Sequence, residues 1–250
     1  VKITHPIALP ICRQIAEYGV SLPVGFASGA TNPDLATLKA KAVSLWTQDE
    51  ASGNLLDLIG SNHQVVSGTV TREAGKVGNC TRSTSGYTDT AANTGLFPVN
   101  ASFTFCIWIK FGATGFQGIC GRLDESNCWG LRTSFSEKMQ FCTKTAGSDT
   151  VVEFGSLTAD QWIFVIVEYD HAAQEIRGRV NNGTPVVVSK TDGTGATSGS
   201  FQFHQLAGSA AAGDMSIDEP GMYSGILTES EIAAVWNAGS GISNTTIAAA

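Results

Sequence analysis

Between Ser102 and Phe111 the chain alternates. Phe103, Phe105, Ile107 and Ile109 fall on one side, Thr104, Cys106 and Trp108 on the other. A period-two run this rich in aromatic and β-branched residues predicts a strand that covers a core. Trp162–Tyr169 is apolar almost throughout, the pattern of a strand covered on both faces. Gly118–Leu123, Cys128–Arg132, Met139–Thr143, Glu175–Val180, Thr184–Val188, Phe201–Leu206 and Met215–Asp218 read as further strands. The turns between them include Asp124–Asn127, Ser134–Lys138 and Asn181–Gly183. Strands recurring every ten or so residues predict an all-β protein built as a two-sheet antiparallel sandwich. One short C-terminal helix stands apart, with Thr228 as cap, Glu231 closing a capping box, and Ile232, Val235 and Trp236 as its apolar face.

Of the 250 residues, 42% are apolar and 15% charged, with a net charge of −7. This is material for a sizeable buried core. The acidic balance and the lack of a basic cluster argue against a nucleic-acid surface and a polybasic membrane patch. No apolar run approaches the ~18 residues that suggest a membrane span, so no membrane insertion is expected. Residues 1–40 differ in texture. They hold Pro6, Pro10, Pro23 and Pro33, four of the seven prolines, and are expected to form an extended N-terminal arm, with two helical turns over Ile11–Tyr18. The domain is expected to span residues 41–250. Such an arm suits docking on other protein subunits, another copy of this chain included.

Several segments, taken in order, resemble one family. Leu45–Asn54 followed by Asp57 resembles the opening W-x-x-x-E-x-S-G-N-x-x-D of laminin-G-like modules, and Gly75–Asn79 their G-K-x-G-N turn. Phe103–Trp108 and Asp160–Val165 resemble two of their Trp-bearing strands. Ile217–Tyr223, Leu227–Ile232 and Trp236–Gly239 resemble their closing I-D-E, L-T-x-x-E-I and Y-N-x-G. The resemblance runs over roughly residues 41–241 and implies a concanavalin A-like jelly roll of the non-catalytic type. Its implications for function are broader, because that fold hosts lectins, adhesion modules and glucanases alike.

The glucanases of this fold carry two carboxylates on one strand, E-x-D-x-x-E or E-x-D-x-E, as retention requires. This chain has no such run. Its nearest acidic sets are Asp49-Glu50 and Asp214 with Asp218-Glu219, so no catalytic residue is expected. The resemblance also implies a structural Ca²⁺ between the start of the domain and its final strand, at positions matching Asp57, Gly60 (through its carbonyl) and Asp218. The same residues suit a turn cap at Asp57 and backbone hydrogen bonds at Asp218.

Sugar surfaces combine exposed aromatic rings with amide, carboxylate or guanidinium partners. Trp129 with Asn127 and Arg132, Tyr87 beside Asp89, and Phe116-Gln117 are the candidates, with His204 on a strand face. Trp129 alternates with Leu131, a pattern that fits core packing as well. Trp46, Trp108, Trp162 and Trp236 match positions that pack the family core.

The cysteines show no C-x-x-C spacing, and buried free thiols are the default reading. Cys120 is expected opposite Cys128, and Cys142 opposite residues 128–130, which leaves a disulfide within this trio open in an oxidising compartment. The expected function is a non-catalytic carbohydrate-binding or adhesion module binding a glycan or cell-surface polysaccharide. The alternative is a phage virion component, such as a decoration or fibre protein, whose main role is assembly. Either would work outside the cell or on a virion surface.

Overall fold

The computed structural model describes residues 33–92, 94–195, 197–207 and 213–250. The chain divides into Val1–Asn32 and Pro33–Ala250, and most of the expected arm, Ile11–Tyr18 included, lies outside the described residues. Where the arm was expected to continue to residue 40, the chain is instead helical. Helix α1 (Pro33–Lys41) has Pro33 at its first position, Asp34 in its first turn and Lys39 and Lys41 in its last, each suited to the helix dipole or the missing amide.

Strand β1 (Ala42–Leu45) follows directly. Then come β2 (Gln64–Ser67), β3 (Val70–Ala74), β4 (Asn79–Ser83), β5 (Tyr87–Thr90), β6 (Phe103–Phe111), β7 (Gly118–Gly121) and β8 (Cys128–Thr133). The chain continues through β9 (Lys138–Thr145), β10 (Ser148–Ser156), β11 (Trp162–Asp170), β12 (Glu175–Val180), β13 (Val186–Ser189), β14 (Gln202–Phe203) and β15 (Met215–Ser224). Helices α2 (Glu229–Trp236) and α3 (Asn244–Ala249) close it.

One sheet has the order β13-β12-β11-β6-β15-β4-β3, with β1 added on β15; the other runs β10-β9-β8-β7-β14-β5-β2. All pairings between named strands are antiparallel. The fold is the expected two-sheet sandwich.

The alternation of β6 determines two separate cores. Phe103, Phe105, Ile107, Ile109 and Phe111 point between the sheets, where they join Trp129, Leu131, Phe141, Phe201 and Phe203. Cys106 and Trp108 point the other way, into a second cluster with Phe164, Ile166, Tyr223, Leu38, Ile232 and Ile247. That cluster lies under the three helices, so the first sheet is covered on both faces. This accounts for the unbroken apolar run of β11. At roughly 2–3 kcal/mol per buried aromatic or large aliphatic side chain, each layer contributes substantially to stability.

Helix α2 begins as its sequence predicts. Glu231 N donates to Thr228 Oγ1 at 3.2 Å, and Thr228 N donates to Glu231 Oε2 at 2.7 Å.

The cysteine register is corrected in one place. Cys142 does oppose Gly130, but Cys120 opposes Leu131 rather than Cys128, because the pairing slips between Gly118 and Cys120. Cys120 therefore shares the inward face with Leu131, whereas Cys128 and Cys142 stand on the outward side of the sheet. Cys80, Cys106, Cys120, Cys128 and Cys142 are buried free thiols.

Candidate functional site

Trp129 is not a sugar platform. It is 2% exposed, its ring centroid lies 4.9 Å from that of Phe201 and 5.2 Å from that of Phe103, and its Nε1–H donates to the Leu96 carbonyl at 2.8 Å. The indole is satisfied inside the sandwich, so the core reading of its alternation with Leu131 is the one the fold adopts. Asn127 and Arg132 do not meet beside it. They lie at opposite ends of β8, about 16 Å apart along an extended strand. Asn127 Oδ1 accepts the Ala146 amide at 3.0 Å and so fixes a turn.

His204 is also removed from any binding surface. It is fully buried, with Nε2 2.9 Å from Thr81 Oγ1, and Thr81 in turn donates to Gln48 Oε1 at 2.8 Å. Burial, with a smaller contribution from the Arg72 charge, lowers its pKa to about 3, so the ring is neutral at physiological pH.

Tyr87 is half-buried on the outward face of β5, with Asp89 two residues on and facing the same way. Burial raises the Asp89 pKa, and the Ser200 hydroxyl opposes the shift.

The residues matched to calcium serve two turns, Asp57 with Gly60 in one and Asp218 in the other. Asp57 Oδ1 accepts the amides of Leu45 (3.1 Å) and Ile59 (3.0 Å), and Oδ2 accepts Ser44 Oγ (2.9 Å) and the Asn62 amide (3.1 Å). Gly60 packs so closely on this carboxylate that a Cβ there would lie 2.8 Å from Oδ2. The Asp57 carboxylate thus caps this turn.

Asp218 is different. Its Oδ2 accepts the amides of Lys76 (2.7 Å) and Val77 (2.8 Å), which ties β15 to the Gly75–Asn79 turn. Oδ1 is buried without a hydrogen-bond partner among the described residues, and so is Oε1 of neighbouring Glu219. Burial raises Asp218 to about 7 and Glu219 to about 9, and the Asp49 charge adds to both shifts. Among the described residues, no group of three or more His, Cys, Asp and Glu side chains is placed to hold a metal ion. Asp214, the other member of the nearest acidic set, pairs with Arg82 at 2.8 Å.

The side chain that sequence reasoning missed is Phe135. It stands in the turn between β8 and β9 and is 86% exposed, yet its ring is not isolated. It stacks on Phe116 with centroids 4.8 Å apart and planes 16° from parallel, and the Arg132 guanidinium lies 5.5 Å from the Phe116 centroid. Arg132 faces outward because Leu131 faces the core. Its Nε donates to Gln140 Oε1 at 2.9 Å, and Gln140 Nε2 donates to Glu153 Oε2 at 3.1 Å. These three are direct cross-strand partners on β8, β9 and β10, and Lys138 Nζ lies 3.6 Å from Glu153 Oε1. The result is an aromatic platform continued by a polar row on the outer face of the second sheet. The Tyr87–Asp89 position lies three strands away on the same face, about 14 Å distant.

This sandwich, with one face sealed by helices and the other bearing aromatic and polar groups, is that of a jelly-roll lectin-type domain. Residues 82–233 match the model of the concanavalin A-like lectin/glucanase superfamily of laminin G type, and the chain belongs to that family. No curated protein matches the sequence.

Among solved structures, the binding domain of Paraclostridial Mosquitocidal Protein 1 superposes with a TM-score of 0.66 at 16% identity, over 81% of this chain and 53% of that one. The binding domain of Botulinum neurotoxin DC, solved with rat synaptotagmin II, gives 0.64 at 14%, over 80% and 52%. Domain 4 of AbnA, an extracellular arabinanase of Geobacillus stearothermophilus, solved with arabinotriose, gives 0.63 at 16%, over 78% and 97%. The chain spans about half the length of the toxin domains and nearly all of the arabinanase domain. Among the described residues, no helix is long and apolar enough to cross a membrane.

Proposed function

We propose that the chain is a non-catalytic carbohydrate-binding module that works outside the cell, with its ligand surface on the outer face of the β7–β10 strands. The observation that carries this reading is the Phe135–Phe116 stack beside Arg132. An 86%-exposed phenyl ring lies outside the core, and a pyranose or furanose offers a C–H face to stack on such a ring and hydroxyls to meet the adjacent amide and carboxylate. The similarity to an arabinanase domain solved with arabinotriose supports it. The separate commitments of Asp214 and Asp218 support a non-catalytic role.

A cation in this module would be held at Asp218 and Glu219, whose unpartnered oxygens suit a hard oxygen-seeking ion, and not at Asp57 and Gly60. Bound there, calcium would neutralise buried carboxylates and brace β15 against the 75–79 turn.

The test is a glycan array followed by calorimetry on the full chain. Binding to at least one glycan class that falls ten-fold or more in Phe135→Ala supports the reading. Unchanged binding in that variant, or an empty array, overturns it.

A further inference from the structure

Leu206 covers the outer face of the second sheet at Gly130, and Cys128 and Cys142 are buried there, but Arg132 and Gln140 are half-buried and Glu153 is exposed, so the polar row reaches solvent and runs perpendicular to the strands. Gly118, Arg132, Gln140 and Glu153 are successive cross-strand partners from β7 to β10. Neighbouring strands lie ~4.8 Å apart, close to the length of one sugar residue in an extended chain. From the Phe116–Phe135 stack, the row therefore offers one polar side chain per strand at about the repeat of a linear polysaccharide. Gly118 on β7 is buried, so the accessible part of the row begins at Arg132, beside the stack.

On the basis of the carbohydrate-binding reading, we infer that this surface binds the interior of a linear, unbranched polysaccharide. The glycan lies across β8, β9 and β10, with one unit stacked on Phe135 and two further units over Gln140 and Glu153. A protein partner fits less well, since beyond the stack the row is amide, carboxylate and ammonium, and interface cores are depleted in charge. A single terminal sugar also fits less well, because end-recognition needs a closed pocket around the terminal hydroxyls. The hydrogen bonds from Arg132 to Gln140 and from Gln140 to Glu153 hold the row extended before ligand arrives, which lowers the ordering cost of binding.

The prediction separates length from chemistry. Titrations use the full chain against linear α-1,5-arabinan, β-1,4-glucan and β-1,4-galactan oligosaccharides of one to six units, with reducing ends free or reduced. In whichever series binds, affinity should rise at least ten-fold from the single sugar to the trimer or tetramer and then level off. Reduction of the end should leave it unchanged. Gln140→Ala should lower tetramer affinity three-fold or more while leaving the weak monosaccharide binding in place, and Phe135→Ala should lower both. Unfolding curves of the variants check that each is folded.

Equal affinity for the single sugar and the tetramer, still dependent on Phe135, overturns the inference and leaves the carbohydrate-binding reading standing. Loss on end reduction does the same. Failure of every series together with an empty array overturns both.

Discussion

Lys41, the last residue of α1, places its Nζ 2.7 Å from Glu231 Oε2, the same oxygen that caps Thr228 N at the start of α2. The ion pair joins the first described helix to a helix nearly two hundred residues later. It sits beside Leu38, which is fully buried among Tyr223, Ile232 and Ile247. The first helix is thus part of the domain.

Two truncations test that boundary. Removal of residues 1–32 should leave the melting temperature of the remainder within a few degrees, because Pro33–Ala250 is a unit by its own contacts. Removal through Lys41 uncovers the second core and should lower it by ~10 °C or more. The single change Leu38→Ala should cost about 2–4 kcal/mol, roughly 5–15 °C in a domain of this size. Equal melting temperatures for the two truncations would show that α1 does not contribute to the fold.

Trp129 should prove structural. Trp129→Phe keeps most of the ring volume but leaves the Leu96 carbonyl without its donor. It should cost about 1–3 kcal/mol in urea unfolding, with no change in glycan affinity beyond two-fold. A variant of full stability that had lost binding would return Trp129 to the ligand surface.

His204 makes the domain sensitive to acid. Its native pKa is lowered to about 3 from an ordinary 6.5. As the pH falls from 6.5 towards 3, the unfolded chain takes up a proton that the native state refuses, and the contribution present above pH 6.5 is lost. The full effect is on the order of 3–5 kcal/mol. Between pH 7.5 and pH 4.5, wild type should therefore lose more stability to urea than His204→Gln, whose amide can still reach Thr81. Parallel losses in the two proteins would exclude the histidine as the cause.

Calcium offers a further check. Millimolar Ca²⁺ should raise the melting temperature of wild type by several degrees and leave Asp218→Asn unmoved, while Asp57→Asn, though destabilised through its turn, should still respond. A calcium response that survives Asp218→Asn, or is absent from wild type, would exclude the Asp218–Glu219 position.

The sandwich was legible where one face is buried and the other is not, since the alternation at Phe103–Ile109 admits no other structure. It was less legible where polar residues interrupt. In β10, Asp149 precedes Val151 and Val152, and Glu153 separates them from Phe154, and the strand goes unread. The opposition of Cys120 to Leu131 depends on a slip in the ladder that no spacing rule supplies. Helix α1 carried its own signals in Pro33, Asp34 and the terminal lysines, but the prolines before it gave the whole stretch the texture of an arm.

At the site, alternation assigned Trp129 and Leu131 to the same face without saying which side of the sheet that face was. Phe135 had a weaker but real signal. An aromatic residue between Ser134 and Ser136 in a tight turn has no strand face to serve, and is therefore a candidate for contact outside the fold.

The helix layer also gives the domain a front and a back. Pro33 opens α1 and Ala250 follows α3, and both helices lie over the first sheet. Phe135 and the polar row belong to the opposite sheet. The proposed ligand surface thus lies on the sheet opposite the one that α1 and α3 cover.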